Sequence, residues 1–162
     1  MDSKDAFQKI LKSYERYYNV SVKNVDAPFA AEAVFKSHNE QYMLVKAAKI
    51  ADIDSNEFVF FYISNENPEQ NLTEVAQAAW ARGLERITPY YGHRNTDITL
   101  ILLSERFSEE SFKLVKKLKF YKSYKFGLFG WSAFRALAYE TSTGRAVTNR
   151  RGSDLKKLVS SL

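Results

Sequence analysis

Between Lys116 and Phe126 the chain reads KKLKFYKSYKF, five lysines interleaved with four aromatic residues. Ammonium groups neutralise phosphates, and exposed Tyr or Phe rings stack on bases, so this pattern suits a nucleic-acid-binding surface. Further along, Asn149-Arg150-Arg151-Gly152 places two guanidinium forks beside an expected helix start. Such forks, with backbone N–H groups, suit a phosphate or a carboxylate. Lys116, Lys117, Lys119, Lys122, Arg150 and Arg151 are therefore the expected anion-binding residues, and Arg135 and Arg145 could extend the patch. The competing reading is structural: a solvated helix face whose aromatics pack inward, and a turn whose arginines pair with acids of the N-terminal half.

The overall charge of +5 conceals a division along the chain. Residues 1–110 carry 12 Lys/Arg against 17 Asp/Glu, a net of −5, whereas residues 111–162 carry 12 Lys/Arg against 2 acids, Glu140 and Asp154, a net of +10. Asymmetry of this size points to an anionic partner, a nucleic acid or an acidic protein, or to attraction between the two halves within the fold.

Catalytic chemistry has thinner support. Tyr90 to Asp97 (YYGHRNTD) gathers aromatic, basic and acidic groups between a helix and a strand, and His93 near Asp97 could serve as an acid or base. Lys46 is the strand lysine best placed for a phosphodiesterase, yet the residue two before it is Leu44 rather than an acid, and Asp52 and Asp54 fall in a turn beyond the strand. His93, Asp97 and Lys46 are thus weak catalytic candidates with no complete constellation around them. The two histidines, His38 and His93, lack ligand spacing for zinc, and the absence of cysteine excludes disulfides, thiolate metal sites and cysteine nucleophiles. No phosphate-cradling Walker loop, dinucleotide fingerprint or nucleophile elbow is present. No cofactor or metal is expected.

The elements that must position these residues follow from periodicity. Phe7, Ile10, Leu11, Tyr14 and Tyr18 make one apolar stripe, predicting a helix over 2–18. Strands are predicted at 29–38, 42–50 and 58–63, joined by short polar turns in the manner of an antiparallel meander. A helix over 72–90 starts at a capping-box-like Asn71 and Glu74, and a strongly apolar strand follows at 96–103. Ser108 caps a helix bearing Phe112, Val115 and Leu118 inward. Strands at 131–140 and 146–149 form a hairpin around Gly144, and Ser153 or Asp154 caps a last helix. The order α-β-β-β-α-β-α-β-β-α describes a single α+β domain over 1–162, with a mostly antiparallel or mixed sheet of about six strands and helices packed on it. The first six elements resemble the core of restriction-endonuclease-like folds, with a degenerate site.

The N-terminus lacks the apolar core of a signal peptide, and the apolar runs are too short to span a bilayer. The expectation is a cytoplasmic protein without membrane contact. The strings Tyr42-Met43-Leu44-Val45-Lys46, Asn56-Glu57-Phe58, Lys122 to Trp131 (KSYKFGLFGW) and Thr148 to Gly152 (TNRRG) resemble a family of short bacterial proteins, mainly from Firmicutes, classed as a domain of unknown function. The resemblance spans nearly the whole chain. It implies a stand-alone bacterial cytosolic protein and transfers no activity and no site residue. The function expected from the residues is non-enzymatic binding of an anionic partner through the basic C-terminal third. The alternatives are a divergent or inactive nuclease-like hydrolase and a small structural or regulatory homodimer.

Overall fold

The computed structural model describes residues 1–35, 56–64, 71–87 and 95–162. Helix α1, Ser3–Tyr14, begins where the Asp2 carboxylate accepts a hydrogen bond from the Asp5 backbone N–H at 2.7 Å, and it buries Phe7, Ile10, Leu11 and Tyr14. The helix ends one turn earlier than the stripe predicts. Tyr18 opens strand β1, Tyr18–Ser21, and its ring packs edge-on against both Tyr14 and Phe35. An aromatic at the right helical interval fits equally well on a strand leaving that helix, which is why the spacing misled.

Strands β2 (Ala31–Phe35), β3 (Asn56–Ser64), β4 (Asn95–Ser104), β5 (Tyr121–Ser123), β6 (Trp131–Glu140) and β7 (Arg145–Thr148) complete one seven-stranded mixed sheet. The order is β1-β2-β3-β4-β6-β5, with β7 also paired to β6. Strands β3, β4 and β6 run parallel, while the outer pairs are antiparallel. The fold is α+β with a mixed sheet, as expected, but its centre is parallel and β2 pairs directly with β3. The predicted strand at Tyr42–Ile50 lies outside the described residues.

Helices α2 (Leu72–Glu85) and α3 (Glu109–Lys117) are the crossovers that make the central strands parallel. They cover one face of the sheet around Phe60, Leu100, Leu102 and Phe134. Helix α1 and the short α4 (Lys156–Val159) cover the other, around Phe61, Ile101, Leu103 and Leu137. Burial on both faces explains why every residue of Ile98–Leu103 is buried, including its one polar member, Thr99, whose hydroxyl donates to Glu57. Among the described residues no helix is long and apolar enough to cross a membrane.

Strand β4 pairs with β6 along its whole length, so β5 and β7 share the far edge of β6. They leave a gap at Phe134–Ala136, and that gap positions the basic residues.

Candidate anion-binding groove

Helix α3 presents its lysines through ordinary amphipathic logic. Ser108 caps it, accepting from the Ser111 N–H at 3.0 Å, and Glu109 and Glu110 occupy the positive end of the helix dipole. Phe112 and Val115 face the core, which leaves Lys116 and Lys117 exposed in the last turn. The helix stops at Leu118, where the backbone becomes extended. From there the side chains alternate: Phe120 turns inward, stacked on Trp80 at 5.6 Å and edge-on to Phe134 at 5.1 Å, while Lys119 and Tyr121 stay exposed. The basic-aromatic run is therefore half helix end and half strand. Strand β5 escaped the sequence reading because all three of its residues are exposed and none carries a core signal.

The second contribution comes from the turn that fills the gap beside β6. Asn149 is 2% exposed, and its side chain bonds to the far edge of β6 at a stretch where no strand among the described residues pairs with that edge. Its Oδ1 accepts from the Ala136 N–H at 2.9 Å and the Gly152 N–H at 3.0 Å, and its Nδ2 donates to the Leu118 carbonyl at 3.0 Å and the Phe134 carbonyl at 2.9 Å. All four hydrogen-bonding positions of the amide are used. Gly152 lies so close to β6 that a Cβ there would meet the Ala136 carbonyl oxygen at 2.8 Å. Asn149 and Gly152 are thus the framework of the Asn-Arg-Arg-Gly run, and Arg150 and Arg151 are left exposed between them at the start of a 3-10 turn, Arg150–Leu155. The last helix begins only at Lys156, behind Leu155 and without a side-chain cap, so the expected cap at Ser153 or Asp154 does not form; Asn149 caps the 3-10 turn that precedes it.

The two segments meet. Lys116, Lys117, Lys119, Arg150 and Arg151 line one groove of about 580 Å³, floored by Leu118, Phe134 and Asn149, and among the described residues no acidic side chain lines it. Lys122, expected in the same site, does not line this groove; its ammonium lies 5.6 Å from the centroid of the Tyr124 ring. None of these six cations makes an ion pair among the described residues. The other two arginines are spoken for. Arg145 pairs with Glu109 over the Phe112 ring, and Arg135 is held by Glu57 and Asp154. At these two positions the charge asymmetry does resolve into contacts within the fold.

The Arg135 contacts belong to a polar cluster on the α1 face that sequence reasoning missed. Glu57 on β3 accepts hydrogen bonds from the Tyr18 hydroxyl, the Thr99 hydroxyl and the Arg135 guanidinium, the last at 2.8 Å. The other arm of Arg135 is bidentate on Asp154, at 2.7 and 2.8 Å. Burial, and then the Glu57 charge, push the Tyr14 and Tyr18 hydroxyls well above the ordinary tyrosine range. Burial pulls on Arg135, but Glu57 and Asp154 hold its pKa raised. Asp97 lies in register with Glu57 on the same face; burial pushes it up to about 6, against the opposing pull of Arg135. The available signal was a lone Glu in Asn56–Ser64 and a lone Arg in Trp131–Glu140, charges that a buried strand tolerates only when they are paired.

Of the catalytic candidates, Asp97 joins this cluster, while His93 and Lys46 lie outside the described residues, as does His38. Among the described residues no three His, Asp or Glu side chains converge as metal ligands. A model of the family described as Domain of unknown function (DUF8052) matches residues 2–161, so the chain belongs to that family over nearly its whole length. No curated protein and no solved structure matches it.

Proposed function

We propose that this protein is a non-enzymatic binding protein of the bacterial cytoplasm that takes a phosphate-rich polymer, a nucleic acid, in the groove between the end of α3 and the Arg150–Arg151 turn. One observation carries the reading: cations from two separate stretches of sequence line a single groove, and among the described residues no acidic side chain joins them there. Like charges gathered in one place repel one another, and a polyanion with its released counterions relieves that repulsion.

Fluorescence anisotropy of labelled DNA and RNA tests it. If all five groove cations contact phosphates, log K should fall against log salt with a slope of about 3.5 to 4.5, so affinity should drop by two orders of magnitude or more between about 50 and 200 mM. Charge reversal at both arginines, Arg150→Glu with Arg151→Glu, should shallow the slope and abolish binding near physiological salt, with unfolding temperature preserved because both side chains are exposed. Unchanged affinity in that variant would sink the site, and no binding at the lower salt would sink the function.

A further inference from the structure

We propose that the nucleic acid bound by this groove is single-stranded, with unpaired bases stacked on Tyr121, Trp131 and Phe126. The inference rests on the proposed function and deepens it. Aromatic side chains ordinarily bury their rings, and among the described residues the others are buried or half-buried; these three stand out in solvent, Tyr121 at 52%, Trp131 at 38% and Phe126 completely.

Their placement is continuous with the cationic groove. The Arg151 guanidinium, which lines that groove, lies 5.4 Å from the centroid of the Tyr121 ring. Tyr121 pairs with Ala133 across the β5–β6 ladder and Ser123 pairs with Trp131, so Tyr121 and Trp131 are diagonal neighbours on one face of the sheet. Diagonal neighbours of this kind are roughly 7–8 Å apart. Bases stacked in a helix are separated by about 3.4 Å. Two rings at about twice that step fit bases pulled apart from one another, and a duplex keeps its base faces inaccessible to them.

Phe126 stands exposed in the loop that joins these strands. Lys125, Phe126 and Gly127 are all left-handed, with φ of 49°, 54° and 89°. The first two have side chains that disfavour that region, so the conformation is strained. Backbone hydrogen bonds from Gly127 N to Tyr124 O at 3.0 Å and from Tyr124 N to Gly130 O at 2.9 Å fix it. Strain at two consecutive residues, together with full exposure of a phenyl ring, marks a segment shaped for contact rather than stability. Charge supplies the complement: no acid occurs anywhere in residues 111–139, and Lys119, Lys122 and Lys125 recur at every third position beside the rings. Tyr121 lies between Lys119 and Lys122, and Phe126 follows Lys125, so cations and exposed rings interleave as phosphates and bases do along a single strand. A lipid surface would call for one contiguous apolar face.

Anisotropy with oligo(dT) and with a duplex of equal length, at about 50 mM salt, decides the matter. The single strand should bind at least tenfold more tightly. Tyr121→Ala and Phe126→Ala should each weaken single-strand binding by about tenfold or more, and leave duplex binding and the salt slope unchanged. Trp131 fluorescence should be quenched by oligo(dT); Trp131→Phe should remove the quenching and keep the affinity, whereas Trp131→Ala should lose both. Equal binding of single strand and duplex with silent aromatic variants, while the arginine reversal still abolishes binding, would overturn the stacking platform and leave the groove intact. No nucleic-acid binding at all would overturn both. Sedimentation with phosphatidylcholine vesicles containing phosphatidylglycerol, dependent on Phe126 while oligo(dT) binding is not, would reassign the loop to lipid.

Discussion

Replacing Asn149 by alanine isolates the residue on which the geometry of the groove depends. The side chain makes four hydrogen bonds of 2.9 to 3.0 Å, to Ala136 N, Gly152 N, Leu118 O and Phe134 O. The Gly152 N–H keeps a second acceptor, the Asn149 carbonyl at 3.2 Å, so it is not orphaned by the change. The Ala136 N–H and the Phe134 carbonyl lie on a buried stretch of β6 and lose the bonds that Asn149 gave them, and the Leu118 carbonyl, nearer the surface, can recruit water. A buried polar group deprived of its partner costs about 1–3 kcal/mol. Two such groups and one partly rescued one give a loss of about 3–5 kcal/mol, against a total stability of about 5–15 kcal/mol for a domain. At 2–4 °C per kcal/mol for a chain of this size, the unfolding temperature should fall by about 10 °C.

Equilibrium urea unfolding measures the loss, with circular dichroism to establish that the variant is folded in the absence of denaturant. Asn149→Asp is the sharper companion. It keeps the shape and the acceptor, but turns a carboxylate oxygen toward the Leu118 and Phe134 carbonyls where an NH₂ had donated, so it should destabilise at least as much as alanine. A loss below about 1 kcal/mol in the alanine variant, or an aspartate variant as stable as the parent, would refute the assignment of Asn149 as the stitch between β6 and the arginine turn. Nucleic-acid affinity should fall with stability in these variants, whereas in Arg150→Glu with Arg151→Glu it should fall alone.

Two further outcomes follow from the cluster on the α1 face. Because burial raises Asp97 to about 6 from 3.8, the folded protein holds that proton more tightly than the unfolded chain; its favourable contribution is complete below about pH 4 and disappears as pH rises through about 6. Asp97→Asn should therefore stabilise the protein by about 3 kcal/mol at pH 8 and change it little near pH 4, and a pH-independent effect in urea titrations would contradict the burial argument. Arg135→Met should cost about 3–5 kcal/mol by stranding Glu57 in the sheet, and adding Glu57→Gln should restore much of that loss; a neutral single substitution would remove Arg135 as the clamp.

How much of this was legible in the sequence depends on what each residue's neighbours are. Helix α3 could be read from Ser108 to Val115 because cap, dipole and apolar stripe all act within a few residues of one another. The hairpin at Gly144 was legible for the same reason, its φ of 78° being a local requirement. Strand β5 was not, since a three-residue edge strand is specified by the β6 edge it meets rather than by its own side chains. The cations were legible as types, and Lys116, Lys117, Lys119, Arg150 and Arg151 do line one groove. Of the exceptions, Lys122 lies over the Tyr124 ring instead, and Arg135 and Arg145 were spent on Glu57, Asp154 and Glu109, pairings that join residues 78, 19 and 36 positions apart and leave no local trace.

The two sites are mechanically one. The 3-10 turn that carries Arg150 and Arg151 is fixed at its start by Asn149, bound to the β6 backbone at Phe134 and Ala136, and near its end by Asp154, bound to the Arg135 side chain. Residues 134 and 136 meet the turn at the sheet edge, while Arg135 reaches Asp154 from the α1 face, so three consecutive residues of a central strand grip it from two directions. A turn held in this way loses little conformational freedom when a ligand arrives, which lowers the entropic cost of binding. It also explains why the buried cluster is built from charges where hydrophobic packing would stabilise as well: Arg135 satisfies Glu57 inside the sheet and, with its second arm, orients the outer turn. Loss of the Arg135–Asp154 contact in Asp154→Ala should accordingly weaken nucleic-acid binding even though that substitution removes a negative charge, the reverse of what simple electrostatics would give; tighter binding in that variant would show that the turn needs no clamp.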